Sequence, residues 1–210
     1  MTKRDMPYRE NPMLRWSYSL IAPLYDLAIS APLLAARTRS LRSLPTDTAG
    51  RVLLNGIGTG LDLPLLPKLH QYTALDFNAA MLSRARPRGT GLQVEWVLGD
   101  SMALPFPDAH FDHVVLHLIL AVVPAPTFCL AEAVRVLKPG GQLLIFDKFL
   151  RRGEGGWKRL LNPLTRHVAT RLDVVFEDLL DAVGGIRVTT NEAALASGWF
   201  RLIRLEKATF

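Results

Sequence analysis

A chain of 210 residues, 49% of them hydrophobic, can bury a full core and falls in the size range of one large domain. Its single cysteine, Cys129, excludes an internal disulfide framework and a cysteine-based metal cluster, and suits a reducing cytoplasm. The net charge of +6 is concentrated: between Lys148 and Arg171 seven basic residues face one acid, Glu154, so this segment matches the excess of the whole chain and points to anionic company or a solvated basic face.

The first 20 residues mix Lys3, Arg4, Asp5, Arg9, Glu10 and Arg15 with prolines, unlike the apolar heart of a signal peptide, and no apolar run reaches the roughly 18 residues of a membrane span. Pro12 to Leu44 reads as two helical stretches. One gathers Met13, Leu14, Trp16, Leu20 and Ile21; the other runs from about Leu24 through Leu27, Leu33, Leu34, Arg37 and Leu41, with Pro23 and Pro32 as punctuation. Residues 1–45 are therefore expected as a helical extension and residues 46–210 as the core domain, entered through the turn-rich P-T-D-T-A-G of Pro45 to Gly50.

Arg51 to Leu61, R-V-L-L-N-G-I-G-T-G-L, is an apolar strand running into glycines at alternate positions, a loop that can turn sharply and set a ligand against bare backbone. Such loops serve dinucleotides, phosphates, nucleosides or no ligand, so context decides. Asp62 to Leu69 is expected as a helix shortened or distorted by Pro64 and Pro67. Tyr72 to Leu75 forms a second strand ending at Asp76, and Asn78 caps a helix over Ala79 to Arg86. Leu92 to Leu98 is a third strand, stopping at Gly99 and Asp100, and Phe111 to Leu118 a fourth. Pro126 to Leu137 is helical and closed by K-P-G-G. Gln142 to Phe146 is a fifth strand. Helices over Trp157 to about Arg171 and Val174 to Val183 precede two last strands, Ile186 to Thr190 and Trp199 to Glu206, too close in sequence to pair in parallel.

The alternation predicts an α/β fold, a Rossmann-like three-layer sandwich on a mostly parallel sheet closed by an antiparallel pair. Ligands of such sheets collect outside the carboxyl ends of the strands. There this chain offers Gly56, Gly58 and Gly60, then Asp76, which can accept from vicinal ribose hydroxyls, then Asp100, which can accept from an adenine amine, then His117. Acids at two successive strand ends behind a glycine loop favour nucleoside binding.

V-L-L-N-G-I-G-T-G, A-L-D-F-N-A-A-M-L, G-D-S-M-A-L-P-F-P-D-A-H-F-D-H-V-V and R-V-L-K-P-G-G-Q-L-L-I, in that order over about residues 50 to 147, resemble the successive motifs of class I S-adenosylmethionine-dependent methyltransferases. The resemblance implies a seven-stranded sheet with an antiparallel last strand and S-adenosyl-L-methionine as cofactor. It also implies a cofactor set of Gly56, Ile57, Gly58, Gly60, Asp76, Phe77, Met81, Gly99, Asp100, Ser101 and Met102, and no metal. Y-S-L-I-A-P-L-Y-D-L-A-I-S, V-V-P-A-P with F-D-K-F, and N-P-L-T-R with W-F-R-L-I-R-L are similar to the small bacterial phosphatidylethanolamine N-methyltransferases, and several of these features are shared with quinone-biosynthesis C-methyltransferases. One position departs: where the family carries an acid two residues before the first glycine, to order the methionine amino group, this chain has Leu54 followed by Asn55. Either loop carbonyls hold that group or cofactor affinity is reduced, and a non-catalytic relative stays open.

Methyl transfer from a sulfonium is an in-line displacement, so positioning dominates. An amine acceptor must also lose a proton, and a quinol carbon needs a base on its phenol. His117 can serve either or simply fill space, whereas His110 and His113 flank the strand as surface or packing residues. By resemblance Tyr18 and Tyr25 lie in helices that cover the site, where their rings can contact an alkylammonium or pack on the core. Lys148 and Arg166 are candidates for a substrate phosphate. The first helix, and the segment Arg151 to Arg171 with Trp157, Leu160, Leu161 and Leu164, each combine apolar and basic groups in a manner suited to a bilayer interface. The expected partners are a phospholipid or other membrane-borne small substrate and a peripheral membrane surface, with no nucleic acid, since no RNA module or Asn/Asp-Pro-Pro-aromatic motif occurs. The reading is thus N-methylation of phosphatidylethanolamine and its partly methylated products at the inner membrane face. C-methylation of a prenylated quinol, or a non-catalytic lipid-surface role, is the alternative.

Overall fold

A computed structural model describes residues 33–150, 152 and 173–209. Among them a seven-stranded sheet runs in the order β3-β2-β1-β4-β5-β7-β6. Its strands are β1 (Arg51–Asn55), β2 (Gln71–Asp76), β3 (Gln93–Leu98), β4 (Phe111–His117), β5 (Leu137–Lys148), β6 (Ile186–Leu195) and β7 (Phe200–Lys207). The first five pair in parallel, and β7 lies antiparallel between β5 and β6. The expected three-layer sandwich and closing antiparallel pair are both present.

Alternation along the buried strands sorts side chains to two faces. Leu53, Val114, Leu116, Leu143 and Ile145 pack beneath α3 (Pro126–Val136) and α4 (Phe176–Ala182), which contribute Cys129, Leu130, Ala133, Phe176 and Leu179. Val52, Leu54, Ala74, Val115 and Leu144 pack on the other face. They meet Leu41 and Leu44 from helix α1 (residues 33–41) and the turn after it, and Leu82 and Ala85 from α2 (Ala79–Ala85). Among the described residues no helix is long and apolar enough to cross a membrane.

Three elements differ from the sequence reading, the simplest being β6, which runs on to Leu195, past the expected end at Thr190. The helix expected over Asp62 to Leu69 is one 3₁₀ turn, Leu63–Leu65. Leu66, which precedes Pro67, is extended at φ −83° and ψ 142°, the conformation that a following proline ring imposes. K-P-G-G, expected to close the helix before a fifth strand starting at Gln142, is the bulged start of β5: Phe111 pairs with Leu137 and His113 with Gln142, with the register shift between. The helix expected over Trp157 to Arg171 lies outside the described residues.

Candidate active site

Parallel strands deliver their carboxyl ends to one edge, and there the glycine loop is tied down by backbone. The N–H groups of Gly56 and Ile57 both donate to the Leu75 carbonyl, at 2.8 and 3.0 Å. Gly58 N–H donates to Asp76 Oδ2 at 2.8 Å, while Asn78 N–H donates to Asp76 Oδ1 at 2.9 Å. Asn78 in turn caps α2 by accepting from Ala80 N–H. Asp76 is buried, which pushes its pKa above the usual carboxylate value while the Asn78, Gly58 and Phe77 amides pull it back. It therefore shapes the loop and retains lone-pair capacity for a ligand. At Gly58, where φ is +56°, an added Cβ would meet nothing within 4 Å, so bare backbone faces open space there.

The end of β3 completes this side of the edge. Gly99 N–H donates to the Asp76 carbonyl, and Asp100 Oδ1 accepts from Met102 N–H at 2.8 Å. Ser101 and Met81 are buried beneath. Beside the two acids, Phe77 and Leu98 are more than half exposed, an unusual placement for large apolar side chains. Gly56, Ile57, Gly58, Gly60, Asp76, Phe77, Gly99 and Asp100 are thus gathered around one rim.

His117 occupies a buried polar chain. Its Nδ1 lies 3.0 Å from Asp62 Oδ2 and its Nε2 2.9 Å from Ser40 Oγ, and Arg37 Nη1 donates to Asp62 Oδ1 at 2.6 Å. All four residues are less than a tenth exposed. Burial raises the Asp62 pKa, but the charges and hydrogen bonds of His117 and Arg37 outweigh it and hold the carboxyl well below the usual range. In the neutral ring, Nδ1–H donates to the Asp62 carboxylate and Nε2 accepts from the Ser40 hydroxyl. His110 and His113 lie at the opposite end of β4 and pack against aromatic rings.

Asn55 and Leu54 face apart, as alternation requires: Leu54 is sealed into the apolar cluster under α1, while Asn55 lies on the α3 side with Nδ2 3.9 Å from Cys129 Sγ. Asn55 Oδ1 is buried and has no hydrogen-bond partner among the described residues. On that same face Asp147 is almost fully buried and accepts from the backbone of Ala121 and Lys148, which pins the loop after β4. Burial pushes its pKa up to about 6 against those N–H donors. A raised folded-state pKa gives stability that is complete below the unfolded value near 3.8 and is lost as pH rises through about 6. Wild type should therefore lose stability relative to Asp147→Asn between about pH 4 and 6. Urea unfolding of both proteins across that interval checks this, and a pH-independent difference would refute it.

Lys148 lies two residues beyond Phe146, the β5 partner of His117, so it stands at this edge on the face of His117. Burial lowers its pKa and Asp147 raises it. Tyr18, Tyr25 and Arg166 lie outside the described residues. Asp62, Arg37, Ser40 and Asp147 form buried polar contacts near this edge that the sequence reading did not single out. Asp62 follows the glycine loop directly, but its partners come from 25 and 55 residues away.

Residues 53–145 match the family model described as a methyltransferase domain. The chain is 36% identical over 132 residues to a phosphatidylethanolamine N-methyltransferase of Cereibacter sphaeroides, covering 61% of this chain and 64% of that protein. It is 37% identical over 133 residues to a demethylmenaquinone methyltransferase of Renibacterium salmoninarum, covering 60% of this chain and 55% of that protein. The chain thus spans less than two thirds of the length of either relative. A solved SAM-dependent methyltransferase from Thermotoga maritima shares the fold at a TM-score of 0.66 and 21% identity, covering 91% of this chain and 99% of that one. Motif order, sheet topology and family model coincide: the chain resembles S-adenosylmethionine-dependent methyltransferases, and residues 53–145 carry the match to a methyltransferase domain.

Proposed function

We propose that the chain transfers a methyl group from S-adenosyl-L-methionine to the nitrogen of phosphatidylethanolamine and its partly methylated products at a membrane surface. The residues suit the cofactor: bare backbone at Gly58, acids at Asp76 and Asp100, and exposed apolar groups at Phe77 and Leu98 match a nucleoside. When bound, S-adenosyl-L-methionine supplies an electrophilic methyl group on a sulfonium. The chain's own part is to fix the loop through Asp76, to set the acceptor in line and to keep water out. A catalytic part for His117 runs through Ser40: a proton given up to the Ser40 hydroxyl can pass to Nε2 while Asp62 steadies the cation. Tyr18 and Tyr25 contact the acceptor amine in this reading, and Lys148 and Arg166 its phosphate.

The observation that carries the lipid assignment is the 132-residue match to a phosphatidylethanolamine N-methyltransferase, supported by the basic segment from Lys148 to Arg171. The comparable match to a demethylmenaquinone methyltransferase favours a second reading, C-methylation of a prenylated quinol. Labelled S-adenosyl-L-methionine incubated with the protein and liposomes of phosphatidylethanolamine, phosphatidylglycerol and a prenylated quinol separates them. Label is expected in phosphatidylethanolamine. Label in the quinol alone supports the second reading, and cofactor binding with no transfer supports a non-catalytic lipid-surface role.

A further inference from the structure

The acid absent at position 54 has a counterpart on the same side of the sheet. Leu54 pairs in register with Val115, and His117, two residues on, presents its ring to the same face. The His117 ring carries Asp62, and Asp62 holds Arg37. A carboxylate therefore stands over the sheet face where Leu54 is sealed, brought there by the loop that follows Gly60. The other acids near this edge are placed elsewhere: Asp76 binds the glycine loop, Asp100 lies on the β3 side, and Asp147 is buried on the opposite face.

The group is built for more than its own internal contacts. Arg37 is 6% exposed, yet its Nε is buried with no hydrogen-bond partner among the described residues. A buried guanidinium donor left unmade is costly, so a site that keeps one is suited to an acceptor from outside. Asp62, held ionised, uses two of the roughly four acceptor positions of a carboxylate. One unmade cationic donor beside one ionised carboxylate complements a zwitterion, and the methionine end of S-adenosyl-L-methionine carries an α-carboxylate and an α-ammonium on one carbon.

We infer that Asp62 receives the ammonium and Arg37 the carboxylate of the cofactor's amino-acid end, doing from the loop what Leu54 cannot do from the strand. His117 and Ser40 are positioning residues in this arrangement, holding the Asp62 carboxylate in place. The inference rests on the cofactor reading given above.

The test is calorimetric titration of the full chain with S-adenosylhomocysteine and with 5′-methylthioadenosine, which has no amino-acid end. Asp62→Asn is expected to weaken S-adenosylhomocysteine about ten- to a hundredfold while leaving methylthioadenosine within about twofold. Adding Leu54→Asp to Asp62→Asn should restore most of the loss, because the new carboxylate rises from the same face. Wild-type affinity for S-adenosylhomocysteine in folded Asp62→Asn, or equal weakening of both ligands, overturns the inference. Should Asp62→Asn fail to fold, wild-type protein is titrated with the desamino analogue of S-adenosylhomocysteine: binding at least about tenfold weaker supports the ammonium contact, and equal affinity overturns it. Failure of folded wild type to bind S-adenosylhomocysteine overturns the cofactor reading itself.

Discussion

Asp76→Ala should weaken S-adenosylhomocysteine binding at least about a hundredfold, the largest functional loss expected from a single substitution in this chain. Two effects combine. In the proposed cofactor site the carboxylate would accept from vicinal ribose hydroxyls, and hydrogen bonds to a charged group contribute about 1.5–3 kcal/mol each. The same carboxylate receives Gly58 N–H and Asn78 N–H, so its removal also releases the tip of the glycine loop and the start of α2. Asp76→Asn separates the two, since its single carbonyl oxygen can keep one of those backbone bonds but not both. Affinities in the order wild type, Asn, Ala are expected by calorimetry. Equal affinity for wild type and Asp76→Ala would remove Asp76 from the site.

Gly60→Ala should cause a large loss of stability. Gly60 has φ +82°, where an L side chain costs about 1–2 kcal/mol. Its Cβ would also stand 2.7 Å from Leu63 Cδ1, 2.8 Å from Ala85 Cβ and 2.9 Å from Ala85 Cα. The last contact is backbone of α2 and cannot turn aside, so overpacking adds about 1–3 kcal/mol. Together these give about 3 kcal/mol, or a fall in Tm of about 10 °C for a domain of this size. Gly58→Ala shares the positive φ but meets open space, and should lose only about 1–2 kcal/mol. Thermal unfolding of the two variants compares them directly, and equal losses would show that the Ala85 contact carries no weight.

These two residues also show how far local pattern reaches. Asp76 was legible because an apolar strand ending in an acid behind a glycine loop carries its own geometry: the strand sets the height, its end sets the edge, and parallel pairing brings neighbouring ends together. Asp100 was legible for the same reason. The element order was equally open to reading, since turn residues interrupt each apolar run. Where it went astray, at Asp62 to Leu69 and at K-P-G-G, the cause was competition between nearby signals. Helical spacing lost to Pro67 acting on Leu66, and a turn sequence was drawn into β5 by pairing with β4.

The polar chain of Arg37, Asp62, His117 and Ser40 belongs to another order of information. Each residue alone has an ordinary reading: a helix arginine, a residue after a loop, a strand-end histidine, a helix serine. Their meeting depends on α1 folding over the sheet face that Leu54 and Val115 share, which joins positions up to 77 residues apart. Strand alternation alone settled that Leu54 and Asn55 face apart, because its period of two is imposed by the backbone. That an acid returns to the Leu54 face from the loop at Asp62 followed from packing between distant segments, where burial forces opposite charges and hydrogen-bonding groups into one another's reach.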